Sequence, residues 1–308
     1  MPYRQQNLFL QKNMAKENKI KFGIPGGALE ESMERLFQDA GYDFKIKKAP
    51  LLVCIDDPEI ECFFDRANEL AFLIGAGILD GGIVSRAALL ESKSDAKEVC
   101  LIGTPSFDWK SSKVVLAVPE KSSIKSLKDL RGKQIITRLP GITKDFLKKN
   151  KISATVEVSH SSNEAKVPEL ADAVVEFANT GATLQFYNLK VLAVLLEDAN
   201  ALSVIAHPKA WKNNWKKEKI ESLGILLKGA RIAQEYSGLM LHASNDMMEE
   251  VLKALPALKK PTVTHLRGEN WFDVFTVAPK KDLRRLIPRL KEIGCTDIIE
   301  FDLSKVVV

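Results

Sequence analysis

The sequence predicts an α/β chain of two lobes, followed by a small ferredoxin-like βαββαβ domain. Three observations carry that prediction. The chain opens as an alternating strand, a Pro25-Gly26-Gly27 turn and a helical stretch, the first unit of an α/β layer. A second α/β stretch interrupts the first, and later apolar runs return to it, which suggests two lobes joined by a hinge. After a long amphipathic helix the order becomes strand, helix, two strands, helix, strand. A chain of 308 residues has room for this: roughly 75% of its unfolded surface can be buried, and single cores begin to split at this size.

The elements follow in order. Lys19 to Ile24 alternates as a strand, and Leu29 to Ala40 repeats Met33, Leu36 and Phe37 at helical spacing before Gly41. Leu51 to Ile55 reads as a strand, Arg66 to Ile74 as a helix with Asp65 as N-cap, and Leu79 to Val84 as a short strand. Lys113 to Val118 is a continuous apolar run, the mark of a strand buried on both faces. Gln134 to Thr137, Thr155 to Val158 and Ala171 to Val175 are further strands, with a basic helix from Thr143 to Lys149 between the first two. The return passes through Val191 to Leu196 and Ala201 to Ala206.

From Glu218 to Tyr236, Ile220, Leu223, Leu227 and Ala230 mark one face of a helix. Beyond it come strand Gly238 to His242, helix Asp246 to Leu255, the pair Pro261 to Leu266 and Trp271 to Val277, a last helix ending at Gly294, and strand Ile298 to Leu303. Pro288 is expected to kink or shorten that last helix. The domains so predicted are a disordered tail at 1–18, lobe I at 19–104 and 188–215, and lobe II at 105–187. A linking helix at 216–236 and a regulatory domain at 237–308 complete the chain.

Composition removes several function classes. With 45% hydrophobic and 28% charged residues, the chain is neither disordered nor collagenous nor disulfide-stapled. No stretch approaches the ~18–20 apolar residues of a membrane span, and the polar N-terminus lacks a signal-peptide core. Cys54, Cys62, Cys100 and Cys295 form no C-x-x-C pair, which fits reduced thiols and a cytoplasmic location. The net charge of +5 is spread thinly, so small anions suit the surface better than nucleic acid. His160, His207, His242 and His265 show no metal spacing. The basic aromatic run from Trp211 to Lys217 reads as packing plus a solvated face.

The sharpest chemistry lies in Asp172-Ala-Val-Val-Glu-Phe-Ala-Asn-Thr-Gly-Ala-Thr-Leu184. A buried strand ends in an acidic residue, and a Thr180-Gly-Ala-Thr183 turn then opens onto helix. Such a turn offers backbone N–H groups, two hydroxyls and the positive end of a helix dipole. Gly181 lets backbone approach a ligand closely. This is a phosphate cradle, with Glu176 beside it for the hydroxyls of a sugar. The same residues also suit a plain helix N-cap.

Read together with Asp56-Asp-Pro-Glu-Ile-Glu61, Arg66-Ala-Asn-Glu-Leu70, Gly77-Ile-Leu-Asp-Gly-Gly-Ile83 and Leu255-Pro-Ala-Leu-Lys-Lys-Pro-Thr262, the segment Glu164 to Leu184 resembles long-form ATP phosphoribosyltransferase. That enzyme makes the first committed step of histidine biosynthesis. The resemblance runs from about Lys19 to the C-terminus. Lys216 to Ile220 and Leu286 to Lys291 match the ending that the short form lacks.

The resemblance implies a periplasmic-binding-protein-like (type II) catalytic region and an ACT-like C-terminal domain. It implies that an adenine ring nitrogen of ATP attacks the anomeric carbon of phosphoribosyl pyrophosphate, with Mg2+ on the pyrophosphate and ribose hydroxyls and no protein metal ligand. Thr180, Gly181, Ala182 and Thr183 would hold the 5-phosphate, with Asp172 and Asn179 in the same substrate-binding set. Glu176, an aspartate in many relatives, would be the catalytic residue facing the ribose. Gly26, Gly27, Arg66 and Asp80 would cage the base of ATP. Histidine would inhibit at the C-terminal domain, near His265, Thr264 and Leu266. Assembly into dimers and hexamers would use Gly238 to Leu303.

Two departures stand out. Relatives usually read Ile-Pro-Lys-Gly at the first turn, often followed by Arg, where this chain has Ile24-Pro-Gly-Gly-Ala28. A charge-assisted hydrogen bond contributes about 1.5–3 kcal/mol, so the missing cation predicts ten- to a hundredfold weaker phosphate binding. Arg86 and Arg138 are the candidates to replace it. Gln185 departs from the charged residue found in many relatives. Two rival readings remain at this stage: a solute-binding protein, which also uses hinged lobes and phrases like Ser126-Leu-Lys-Asp-Leu-Arg-Gly-Lys133, and a catalytically silent relative acting as a regulatory subunit.

Overall fold

The computed structural model describes residues 19–48, 51–104, 112–160, 162–179, 181–256, 260–267 and 270–308. The predicted tail at 1–18, the start of predicted lobe II at 105–111 and Thr180 lie outside the described residues. Contacts divide the chain into two compact units, Met1–Arg35 with Tyr42–Gly224, and Leu36–Gly41 with Ile225–Val308.

Strand β1 (Ile20–Pro25) leads through a one-turn 3-10 helix to α1 (Glu30–Asp39). A hairpin, β2 (Lys45–Lys48) and β3 (Leu51–Cys54), precedes β4 (Ile60–Asp65), α2 (Ala67–Gly75), β5 (Gly81–Ser85), α3 (Arg86–Ser92) and β6 (Lys97–Gly103). The second lobe holds β7 (Lys113–Pro119), β8 (Gln134–Thr137), α4 (Pro140–Lys149), β9 (Thr155–Val158), β10 (Ala173–Ala178), α5 (Ala182–Phe186) and β11 (Leu189–Leu196). Strand β12 (Leu202–Ala206) returns to the first lobe, and α6 (Pro208–Lys212) and α7 (Asn214–Ala233) follow.

Lobe I is a sheet in the order β4-β1-β5-β12-β6, and lobe II one in the order β11-β7-β10-β8-β9. Strand β11 therefore belongs to lobe II, where it pairs with β7. The predicted return at 188 comes one strand too early, because an apolar strand carries no mark of which sheet it joins. Strands β4, β6 and the hairpin partner β2, with helix α3, were not anticipated. The helix cap also moves: Arg66 is the N-cap of α2, while the Asp65 carboxylate accepts the Arg66 N–H at 2.7 Å.

Packing follows the apolar pattern. Strand β7 is buried from Val114 to Val118, with β10 buried alongside it from Ala173 to Glu176. Ile220, Leu223, Leu227 and Ala230 on α7 are all buried, as their spacing required. The lobes touch through α3 and α4. The Glu91 carboxylate accepts the N–H groups of Gly141 and Ile142 at 2.7 and 2.9 Å, which places a negative charge on the N–H groups that the first turn of α4 leaves without a partner inside the helix. Glycine is required there, since a Cβ at 141 would stand 2.9 Å from the Glu91 carbonyl oxygen.

The second unit is β13 (Tyr236–Ser244), α8 (Met248–Ala254), β14 (Thr262–His265), β15 (Trp271–Pro279), α9 (Lys280–Ile293) and β16 (Thr296–Asp302). Its sheet order β14-β15-β13-β16 is the antiparallel ferredoxin-like arrangement. Leu239, Leu241, Val251, Val274, Leu283, Leu286 and Leu290 form its core. Pro288 lies inside α9 without ending it. The residue is exposed, so the carbonyl it leaves unpaired one turn earlier can be hydrated. Among the described residues no helix is long and apolar enough to cross a membrane.

Candidate functional site

The register of the two sheets places one edge of each lobe beside the hinge. In lobe I, β1 runs parallel to β4 and β5, and β12 begins where β5 ends, with Leu202 opposite Ser85 and Gly103. In lobe II, β8, β9 and β10 are parallel, and β7 begins at the end of β10, with Lys113 opposite Ala178. Both crossings between lobes thus leave from the carboxyl ends of the parallel strands. Ligands of parallel α/β sheets bind at that edge.

Glu176 is the centre of the lobe II edge. Its residue is 4% exposed. Arg138 Nε donates to Glu176 Oε2 at 2.9 Å, Asn163 Nδ2 donates to the same oxygen at 3.3 Å, and the Phe177 N–H donates to Oε1 at 3.1 Å. Burial pushes the Glu176 carboxyl above its ordinary range, and nearby Glu164 adds to this. The Phe177 N–H and the Arg138 charge pull it back. Asn163 is fully buried, and its Oδ1 has no hydrogen-bond partner among the described residues. A buried acceptor without a donor costs about 1–3 kcal/mol, so a native site holding one invites a ligand donor.

The elements explain these positions. Thr137 ends β8, where its Oγ1 donates to the Val175 carbonyl at 2.9 Å and accepts the Leu139 N–H at 2.9 Å. That clamp locks the start of the Arg138-Leu139-Pro140 turn against β10. Asn163 Nδ2 also donates to the Ser159 carbonyl at 3.1 Å, fixing the loop after β9. After β10, Gly181 takes φ +78°, a left-handed value that favours glycine, and caps α5. Its carbonyl accepts the Gln185 N–H at 3.0 Å. Ala182 and Thr183 begin that short helix as exposed residues, and Asn179 precedes the turn.

In lobe I, Gly26 and Gly27 follow β1 and Arg66 follows β4, so these three share the carboxyl edge. The Gly26 N–H donates to the Asp65 carbonyl at 2.9 Å. Gly27 stands at φ +68°. No side chain fits at position 26, where a Cβ would meet the Phe64 ring at 2.5 and 2.7 Å. The Arg66 side chain is exposed.

Two predicted residues are placed elsewhere. Asp80 precedes β5 and sits at the amino edge, where its carboxylate accepts the Lys21 N–H at 2.9 Å and pairs with Lys216 at 2.7 Å. Asp172 precedes β10, roughly 20 Å of strand away from the cradle. It accepts the Gln134 N–H at 2.9 Å and pairs with Lys133 at 3.0 Å. Both acidic groups tie neighbouring strands together. Asn163 and Glu164 were not singled out, though they are buried polar residues at the site. The only sequence signal for them was their place in a polar Ser-Asn-Glu stretch ahead of a strand.

Other singled-out groups resolve simply. Lys217 Nζ stands 5.3 Å from the Trp211 ring centroid, a packed cation. His265 is exposed on β14 with its ring edge-to-face against Phe272. Cys295 is a buried free thiol.

Residues 66–229 match the family model described as ATP phosphoribosyltransferase, and residues 233–305 match the HisG C-terminal domain. The chain is 38% identical over 295 residues to the ATP phosphoribosyltransferase of Chlorobium luteolum, covering 96% of this chain and 100% of that one. It is 36% identical over 289 residues to that of Pelotomaculum thermopropionicum, covering 94% and 99%. Among solved structures, the ATP phosphoribosyl transferase (HisG:HisZ) complex from Thermotoga maritima superposes with a TM-score of 0.56 at 24% identity. That match covers 68% of this chain and 96% of the other, and it speaks for the fold.

Proposed function

This chain belongs to the ATP phosphoribosyltransferase family, and from that membership we propose how its carboxyl edges divide the reaction. The enzyme condenses ATP with phosphoribosyl pyrophosphate in histidine biosynthesis. An adenine ring nitrogen gives its lone pair to the anomeric carbon. The bond from that carbon to the pyrophosphate oxygen breaks, and its electron pair leaves with pyrophosphate. Positive charge develops on the sugar and purine, negative charge on the leaving group.

The observation that carries the assignment is Glu176, buried and held from three sides beside the unpartnered Asn163 Oδ1. In this reading Glu176 faces the ribose ring, where a fixed carboxylate offsets positive charge at the anomeric carbon. Asn163 Oδ1 accepts a ribose hydroxyl. The turn of Asn179, Gly181, Ala182 and Thr183, with Thr180, holds the 5-phosphate. Gly26, Gly27 and Arg66 receive ATP from lobe I. Mg2+ carried in on the substrate would draw negative charge off the pyrophosphate.

Regulation and assembly belong to the same reading. An end product that resembles neither substrate needs a separate site, and the ferredoxin-like unit supplies a surface for histidine, with Thr264 and His265 exposed on β14. Histidine inhibits there only by preferring one arrangement over another. The protein is cytoplasmic and assembles through its C-terminal sheet into dimers and hexamers.

The test is direct. Protein with ATP, phosphoribosyl pyrophosphate, magnesium and a pyrophosphatase should form phosphoribosyl-ATP, followed by its absorbance, and added histidine should slow it. No product from folded protein would sink the catalytic reading. Turnover indifferent to histidine, with no heat of histidine binding, would remove the regulation alone. Light scattering that finds only monomers, with or without ligand, would remove the assembly.

A further inference from the structure

We infer that Arg138 is a substrate-binding residue, which holds Glu176 through Nε and presents its remaining N–H groups to the pyrophosphate of phosphoribosyl pyrophosphate. The inference rests on the reading of Glu176 given above. Its argument begins with charge. The leaving group gains negative charge as the anomeric bond breaks, and a cation at that point lowers the barrier. Lobe I does not supply one from its first turn. Gly26 and Gly27 bring no charge, and the Phe64 ring fills the space a side chain at 26 would need. The cation has to come from somewhere else on the carboxyl edges.

Arg138 meets the requirement. It follows β8 directly, beside the end of β10, and its backbone is fixed by the Thr137 clamp. Only Nε is engaged, on a carboxylate that is itself 5% exposed, while the Arg138 side chain is 42% exposed. The terminal guanidinium nitrogens have no protein partner among the described residues. Guanidinium offers its donors in a planar fork, so one edge can hold a carboxylate while the other meets phosphate oxygens. Lysine, a point charge, cannot do both with the same geometry. The ion pair thus sets the two signs the reaction needs side by side: the carboxylate for the sugar, the guanidinium for the leaving group.

The experiment compares parent, Arg138→Gln and Arg138→Lys in steady-state turnover and in calorimetry of phosphoribosyl pyrophosphate binding without ATP. Arg138→Gln should bind phosphoribosyl pyrophosphate about 10- to 100-fold more weakly, the loss of one charge-assisted contact. Its KM for ATP should stay within a few-fold of the parent. Arg138→Lys should recover part of the loss, and guanidinium ion should partly rescue Arg138→Gln. The acid limb of kcat/KM should move to higher pH in Arg138→Gln. Glu176 then keeps Glu164 as a charged neighbour and loses the Arg138 charge, so it takes up a proton more readily.

Binding and acid limb both unchanged in folded Arg138→Gln would overturn the inference. So would equal loss of both substrates, or a Lys variant no better than Gln. A parent that neither binds phosphoribosyl pyrophosphate nor turns over would instead overturn the reading of the Glu176 site. Should Arg138→Gln fail to fold, the Lys variant carries the test: a selective rise in the phosphoribosyl pyrophosphate KM supports the inference, and parental constants overturn it.

Discussion

Asp172 and Glu176 sit at opposite ends of strand β10 and are shifted in opposite directions. At the amino end, the Gln134 N–H above all, with Lys133, holds the Asp172 carboxyl below its ordinary range. At the carboxyl end, burial pushes Glu176 up despite Arg138. Lobe I repeats the division, with Asp80 tied to Lys21 and Lys216 at the amino edge and Gly26, Gly27 and Arg66 at the other. The difference is one of division of labour. The amino-edge carboxylates are ion-paired and tie neighbouring elements together, whereas the carboxyl-edge group is buried beside Asn163 Oδ1, which has no partner among the described residues.

The strongest way to break this comparison is Glu176→Gln. Turnover should fall about 10²- to 10³-fold, the usual cost of removing a fixed charge from a transition state, with the fold intact. Turnover near the parent's would put Glu176 among the structural groups. The pH dependence has a definite sign. With its pKa raised, Glu176 takes a proton in the folded state where the unfolded chain has already lost one, so its contribution to stability falls as pH rises through that window. Activity runs the other way, declining as pH falls through the raised pKa.

Asp80→Ala tests the opposite edge. It should lower stability by about 1–2 kcal/mol, because the Lys21 N–H and Lys216 lose their acceptor, and should leave the KM for ATP alone. A selective loss of ATP binding at unchanged Tm would move Asp80 into the site. Thr183→Ala should weaken phosphoribosyl pyrophosphate by several-fold, about 1 kcal/mol for one neutral hydrogen bond. Identical binding isotherms would leave the turn as a helix cap only.

Asp172→Asn is the smallest expected effect, about 0.5–1 kcal/mol at neutral pH, since over a third of the carboxylate faces water. Asp172 has a lowered folded pKa, so its stabilisation is complete above the unfolded aspartate value and fades as pH falls through the folded one. Parent and variant should therefore converge in acid. A gap that widens in acid would contradict the pairing with Gln134 and Lys133.

Much of the architecture was legible residue by residue. Val114 to Val118 had to be a doubly buried strand, the Ile220-Leu223-Leu227-Ala230 stripe had to face a core, and the last βαββαβ order matched a known plan. The missed pieces share a cause. Strand β4 carries charges at both ends of an apolar centre, and β6 mixes Lys97 and Glu98 with apolar residues, so neither shows clean alternation until its neighbours are known. The Gly181 turn was legible because glycine stands between the end of an apolar strand and a helical stretch. Arg138, Asn163 and Glu176 are brought together from three separate strand ends, and nothing local announces that.

By itself, then, the sequence determined what short-range chemistry controls: strand and helix periods, the Gly181 turn, the lack of a cation at Gly26-Gly27, and the family likeness. Tertiary structure alone decided which edge of its sheet each acid occupies. An aspartate at the start of a parallel strand and a glutamate at its end differ little in sequence. Strand direction and register carry one to the closed amino edge and the other to the edge beside the hinge. Desolvation there, acting with Arg138 and Asn163 from other strands, raises the Glu176 carboxyl, while Asp172 and Asp80 tie neighbouring elements together.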